Sequence, residues 1–186
     1  MAEAKKTQLT GLYRPEFEHD ACGVGVVANI KGAKSHGIVE NGLEVLINLE
    51  HRGARGSDPD TGDGAGMLMQ LPDEFLRRET AKLGLDLPPA GDYAVGMVFL
   101  PRGQDVRAHC ESVIEQAVAD EGQRFLGWRD VPVDSAAIGR VARERQPSIR
   151  QFFVEKGPGT TDQAHFERKL YVARKVAERQ VLDANN

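Results

Sequence analysis

Apolar positions along the chain fall into short β-like runs separated by stretches of helical spacing. Residues 22–30 (Cys22-Gly23-Val24-Gly25-Val26-Val27-Ala28-Asn29-Ile30) are a β-branched run bounded by Lys31-Gly32 and predict a buried strand. Ser35 stands as an N-cap before Ile38, Val39, Leu43, Leu46 and Ile47, whose spacing is helical, and Gly53 follows the end. Residues 64–71 predict a second strand. Residues 72–83 predict a short helix with Pro72 at its first position and Gly84 as its stop. The run Val95, Met97, Val98, Phe99, Leu100 makes 93–100 the clearest strand. A helix over about 105–120 would place Val106, Cys110, Val113, Ile114, Ala117 and Val118 on one stripe. Residues 125–133 and 148–154 read as further strands, and Asp162 caps a last helix through Leu182.

Before residue 22 neither period is present, and Pro15 argues against a helix, so residues 1–21 read as an extension. Two-residue Asn-Gly hairpins are missing between the strands, which alternate instead with helices. Layered α/β or α+β packing follows.

Composition narrows the function classes. The 186 residues carry 24 Lys+Arg against 28 Asp+Glu, a net charge of −4 that argues against a basic nucleic-acid binder. No apolar run approaches the roughly 20 residues that span a bilayer, and no secretory signal opens the chain. The expectation is a soluble cytoplasmic domain with neither nucleic-acid nor membrane partners. Two cysteines, Cys22 and Cys110, and five scattered His provide neither a disulfide framework nor a zinc-ligand spacing.

Several motifs match only in their letters. Gly23-Val24-Gly25-Val26-Val27-Ala28 satisfies G-x-G-x-x-A, but a dinucleotide site needs a strand before the glycines and a helix after them. Here the glycines sit inside the β-branched run, which fits close backbone approach better. The loop Asp58-Pro59-Asp60-Thr61-Gly62-Asp63-Gly64 has Gly62 and Met69 where a calcium loop needs oxygen ligands. Cys110, on an apolar helical stripe, reads as a packed thiol. Cys22 is different, because it stands where an extension meets the first strand. Cleavage after Ala21 would put a thiol and an α-amine on one residue. With a reference pKa of about 7.7–8.0, that amine can serve as the general base for its own nucleophile.

Three stretches carry a resemblance: His19-Asp20-Ala21-Cys22-Gly23-Val24-Gly25, Asn48-Leu49-Glu50-His51-Arg52-Gly53-Ala54, and Thr61-Gly62-Asp63-Gly64-Ala65-Gly66. In order and spacing, with Gly11-Leu12-Tyr13 beside them, they resemble the class II glutamine amidotransferase domain that opens the glutamate synthase large subunit. Similarity runs on through Arg150-Gln151-Phe152-Phe153-Val154 and Phe166-Glu167-Arg168-Lys169-Leu170-Tyr171.

The resemblance implies an α+β, N-terminal nucleophile (Ntn) αββα sandwich, with residues 1–21 a propeptide and 22–186 the front part of the amidotransferase domain. It implies that Cys22 attacks the side-chain amide of glutamine and that Arg52 and Gly53 lie beside the nucleophile and hold it. The glycine turn of 61–66 would be scaffolding. Arg55 and Ser57 stand where members often have small residues or Cys. In the family the domain continues past a helix like 162–182. That later part carries the Arg that clamps the glutamine carboxylate, an Asn-Gly oxyanion hole and an Asp that reads the α-amino group. These have no counterpart in the 186 residues, so the expected sandwich is truncated. FMN, an iron–sulfur cluster and the electron donor, NADPH or ferredoxin, belong to other regions of the family's complete enzyme, and no cofactor is expected in this chain. The expected partners are glutamine and the remaining part of the large subunit. The rival expectation is a catalytically inactive fragment or accessory domain that binds a partner subunit.

Overall fold

The computed structural model describes residues 23–54, 58, 60–62 and 64–183. The extension of residues 1–21 and Cys22 lie outside the described residues. The chain divides into two compact units, Met1–Met69 and Gln70–Asn186.

The first unit is built on helix α1 (His36–Asn48), followed by a 3₁₀ turn over Glu50–Arg52. Ser35 takes the extended N-cap conformation without a side-chain cap bond. Gly53, expected as the helix stop, lies beyond the 3₁₀ turn in extended backbone (φ −90°, ψ 160°) and is not a left-handed cap. Residues 23–29 and 64–70 correct the two strand expectations for this part of the chain. Neither stretch joins a ladder among the described residues, and Val24, Val26 and Leu68 are 86, 87 and 101% exposed. A β-branched run makes a strand only where a second backbone takes its hydrogen bonds. Both stretches instead lie along α1 through their smallest contacts. A Cβ at Gly25 would overlap the Val45 side chain, and one at Gly42 of α1 would meet Met67 Sδ at 2.6 Å.

In the second unit the periodicity is realised closely. Helix α2 spans Asp73–Ala81, with Pro72 just before it rather than inside it. Its end is set by Gly84 at φ +70°, with Leu85 N–H donating to Thr80 O at 3.0 Å and Gly84 N–H to Ala81 O at 3.1 Å. Glycine alone adopts that conformation without steric penalty. Strand β1 is Tyr93–Leu100, as expected, and is followed by α3 (Gln104–Asp120), β2 (Arg124–Asp130), α4 (Arg140–Arg145), β3 (Ser148–Glu155) and α5 (Gln163–Asp183). The strand expected over 125–133 ends three residues early, at Asp130. Helix α4 has no apolar stripe and was not expected; Gly139 N-caps a turn and a half in which only Val141 and Ala142 are apolar. Asp162 caps α5 as expected, its Oδ1 accepting His165 N–H at 2.7 Å.

The three strands form one antiparallel sheet in the order β1-β3-β2. Central β3 therefore alternates its two faces. Phe152 and Val154 join Ala117 and Val118 of α3 and Phe166, Ala173 and Ala177 of α5, while Phe153 points the other way, to Leu76, Leu87 and Tyr93. Alanines at the α3–α5 contact let the helices approach, and Lys169 Nζ meets Glu121 Oε2 across them at 2.8 Å. Cys110 is buried and free, the packed thiol that its stripe implies. Mixed helix and antiparallel sheet make the unit α+β. Among the described residues there is one sheet.

Candidate functional site

The site is the end of α1. An uninterrupted α-helix would send Arg52 N–H to Asn48 O, four residues back. Here Arg52 N–H donates to Leu49 O at 2.8 Å and Gly53 N–H to Glu50 O at 3.1 Å, so the helix tightens to 3₁₀ geometry and turns off its axis. His51 Nδ1 lies 2.9 Å from Asn48 O. A carbonyl only accepts, so Nδ1 carries the proton and donates. Two basic residues, His51 and Arg52, thus sit where the carbonyl end of the α1 dipole is negative.

The other two motifs converge here. A Cβ at Gly23 would stand 3.0 Å from Leu49 Cδ2 and 3.2 Å from both Cβ and Cγ of Arg52. The residue that follows Cys22 is therefore seated on the stem of Arg52, and only a glycine fits the seat without displacement. On the other side, a Cβ at Gly62 would stand 3.3 Å from Ala54 O, so the glycine loop returns onto the residue after Gly53. Asp58 starts that return. Its carbonyl accepts Thr61 N–H at 3.0 Å and its carboxylate accepts Asp60 N–H and the Thr61 hydroxyl, both at 3.2 Å.

Of the expected site residues, Arg52 and Gly53 are consecutive and exposed in this turn. Cys22 lies outside the described residues, as does Asp63 of the glycine loop. His51 belonged to a motif in the sequence reading but carried no role there; a histidine at a helix C-terminus is the signal that could have assigned one. The arrangement provides a backbone turn with the stem of Arg52 beside Gly23.

Polar clusters of the second unit serve its fold. Arg129 is buried against Gln151 Oε1 (2.8 Å) and Glu79 Oε2 (3.4 Å). Arg150 lies over the Trp128 ring and bonds Glu111 and Asp130, each at 2.7 Å. Tyr93 donates to Asp73 Oδ1 at 2.7 Å, and its burial, then that bond, push the phenol well above its ordinary range. Among the described residues, no grouping of three or more His, Cys, Asp or Glu could hold a metal ion, and no helix is long and apolar enough to cross a membrane.

The chain is similar to the glutamate synthase [NADPH] large chain of Bacillus subtilis (strain 168), with 52% identity over 168 residues, 90% of this chain and 11% of that one. It is 44% identical over 181 residues to the glutamate synthase [NADH] of Saccharomyces cerevisiae, 92% of this chain and 8% of that one. It is 39% identical over 183 residues to ferredoxin-dependent glutamate synthase 1, chloroplastic/mitochondrial, of Arabidopsis thaliana, 96% of this chain and 11% of that one. The chain thus spans about a tenth of the length of these relatives. The family profile described as glutamine amidotransferases class-II matches residues 22–186, starting at the cysteine itself. The chain belongs to the class II glutamine amidotransferases.

Proposed function

We propose that this chain is the glutaminase part of a glutamate synthase, with Cys22 as an N-terminal nucleophile on an Ntn αββα sandwich. Residues 1–21 are its propeptide and 22–186 the front of its amidotransferase domain. The observation that carries the reading is the seating of Gly23 on Arg52 and Leu49 at the end of α1, in a family whose profile begins at residue 22.

Once the Ala21–Cys22 bond is cut, the Cys22 α-amine takes the thiol proton and sulfur attacks the side-chain amide carbon of glutamine. The tetrahedral intermediate collapses with return of that proton to nitrogen; the C–N bond breaks, leaving a γ-glutamyl thioester and ammonia. Water, deprotonated by the same amine, then cleaves the thioester to glutamate and restores the thiol. Arg52 and Gly53 hold the nucleophile for both attacks. Ammonia is passed on for glutamate synthesis from 2-oxoglutarate by the remaining part of the large subunit, the chain's partner. The two Cys of the chain cannot supply the four thiolates of a Cys₄-ligated iron–sulfur cluster. Glutamine is the ligand of this chain, and the cytoplasm is its proposed compartment.

A second reading has its own observation. Val24, Val26, Ile30 and Leu68 expose large apolar side chains in the first unit, which suits a catalytically inactive accessory domain covered by a partner subunit. Incubation with an electrophilic glutamine analogue, followed by intact-mass and peptide analysis, separates the two. Loss of residues 1–21 with one adduct on Cys22, abolished by Cys22→Ser and kept by Cys110→Ser, is the expected result. Equal loss of labelling in both variants contradicts the assignment of Cys22. An unprocessed, unlabelled chain favours the partner-binding reading.

A further inference from the structure

We propose that His51 is a positioning residue for Cys22, acting through the turn that seats Gly23. The inference rests on the reading of Cys22 as the nucleophile, and the turn itself carries the rest. Because Arg52 N–H goes to Leu49 O, the Asn48 carbonyl loses the i+4 donor that a continuing helix would supply. The His51 ring replaces it with Nδ1–H at 2.9 Å. This bond ties the residue before Arg52 to the last residue of α1, and so selects the 3₁₀ turn over a further α-turn. An additional α-turn would rotate Arg52 about the helix axis, by about 20° per residue against 3₁₀ geometry. The Cβ and Cγ of Arg52, which lie 3.2 Å from where a Cβ at Gly23 would stand, would then leave that place.

The chain of contacts is short: Asn48 O to the His51 ring, His51 to Arg52 by one peptide bond, and the Arg52 stem to Gly23, next in sequence to Cys22. His51 touches no substrate in this scheme. It holds the residue that holds the nucleophile, so its loss lowers the rate of attack and leaves glutamine affinity alone. The donor, not the ring, is what the geometry uses, and the neutral and protonated imidazoles both keep Nδ1–H for it.

The test compares His51→Phe, which keeps a ring and removes the donor, with His51→Asn, whose side-chain amide can donate to the same carbonyl. Two reagents are used on the 186-residue chain: the electrophilic glutamine analogue, and iodoacetamide, which needs no glutamine recognition. Adduct formation at Cys22 and Cys110 is followed by peptide mass. The maximal rate of analogue labelling should fall about 3- to 10-fold in His51→Phe, with an unchanged half-saturating concentration and recovery in His51→Asn. The iodoacetamide rate at Cys22 should shift at least about threefold, while amide hydrogen exchange of α1 stays as slow as in wild type, which reports that the first unit is folded.

Should the analogue fail to label even the wild-type chain, the glutaminase reading fails, and the iodoacetamide rates alone decide the role of His51. Cys22 rates in His51→Phe within about twofold of wild type with both reagents overturn the proposal. It is equally overturned if folded His51→Asn falls as far as His51→Phe. If the α1 amides lose their protection in His51→Phe, the first unit has lost its fold and the decision passes to His51→Asn, which must match wild type.

Discussion

An alanine at Gly157 would set a methyl group against backbone. Its Cβ would stand within 1.8 Å of Gly122 O, 3.0 Å of the Gly122 carbonyl carbon and 3.4 Å of Gln123 Cα. Carbon and carbonyl oxygen come no closer than about 3.3 Å, so the α3–β2 turn and the β3–α5 loop must part by roughly 1.5 Å. Gln123 pins these two segments together. Its Oε1 accepts Gly157 N–H at 2.9 Å, and its Nε2 donates to Glu121 O at 2.9 Å and to Thr160 Oγ1 at 3.1 Å. Separation leaves a buried donor and acceptor unpaired, which costs about 1–3 kcal/mol; strain from overpacking adds about 1–3 kcal/mol. Gly157→Ala should therefore destabilise by about 2–6 kcal/mol, a large part of the roughly 5–15 kcal/mol typical of a domain. Urea denaturation, read as a shift of midpoint at constant slope, measures it. Gly159→Ala is the control, because a Cβ there meets nothing within 4 Å and its φ is not positive; it should change stability by less than about 1 kcal/mol. Gly157→Ala within about 0.5 kcal/mol of that control would refute the reasoning.

Two further outcomes follow from the core and from a cap. Phe153, fully buried at the centre of β3, should cost about 3–5 kcal/mol when truncated to alanine, whereas exposed Phe99→Ala should stay within about 0.5 kcal/mol, both by chemical denaturation. Asp162 accepts His165 N–H, and that bond, ahead of its other interactions, holds the carboxyl below the usual range. Its folded value is thus below the unfolded one of about 3.9. The stabilisation is complete above that pH and lost as pH falls through the lower folded value. Asp162→Ala should melt below wild type at neutral pH, with a gap that closes in acid; a gap constant to about pH 2 would contradict the cap.

Signals that act within five residues were legible in the chain. Gly84 ends α2 and Asp162 begins α5 as the sequence implies, because a left-handed cap and a side-chain N-cap involve only neighbours. The β1 run and the α3 stripe were equally plain, since their periodicity is continuous. Helix α4 was not, because six residues with only Val141 and Ala142 apolar offer no period to read.

The sequence by itself also determined the family and the residues to watch, since three motifs in register are a one-dimensional fact. Tertiary structure decided what those residues touch. Residues 23–29 have strand composition without a ladder, because a ladder depends on a second segment that local propensity does not supply. The order β1-β3-β2 is likewise a non-local choice, made by burying Phe153 on one face and Phe152 and Val154 on the other. The role of His51 emerged only when the end of α1 was seen to tighten, handing the Asn48 carbonyl to its ring and the stem of Arg52 to Gly23.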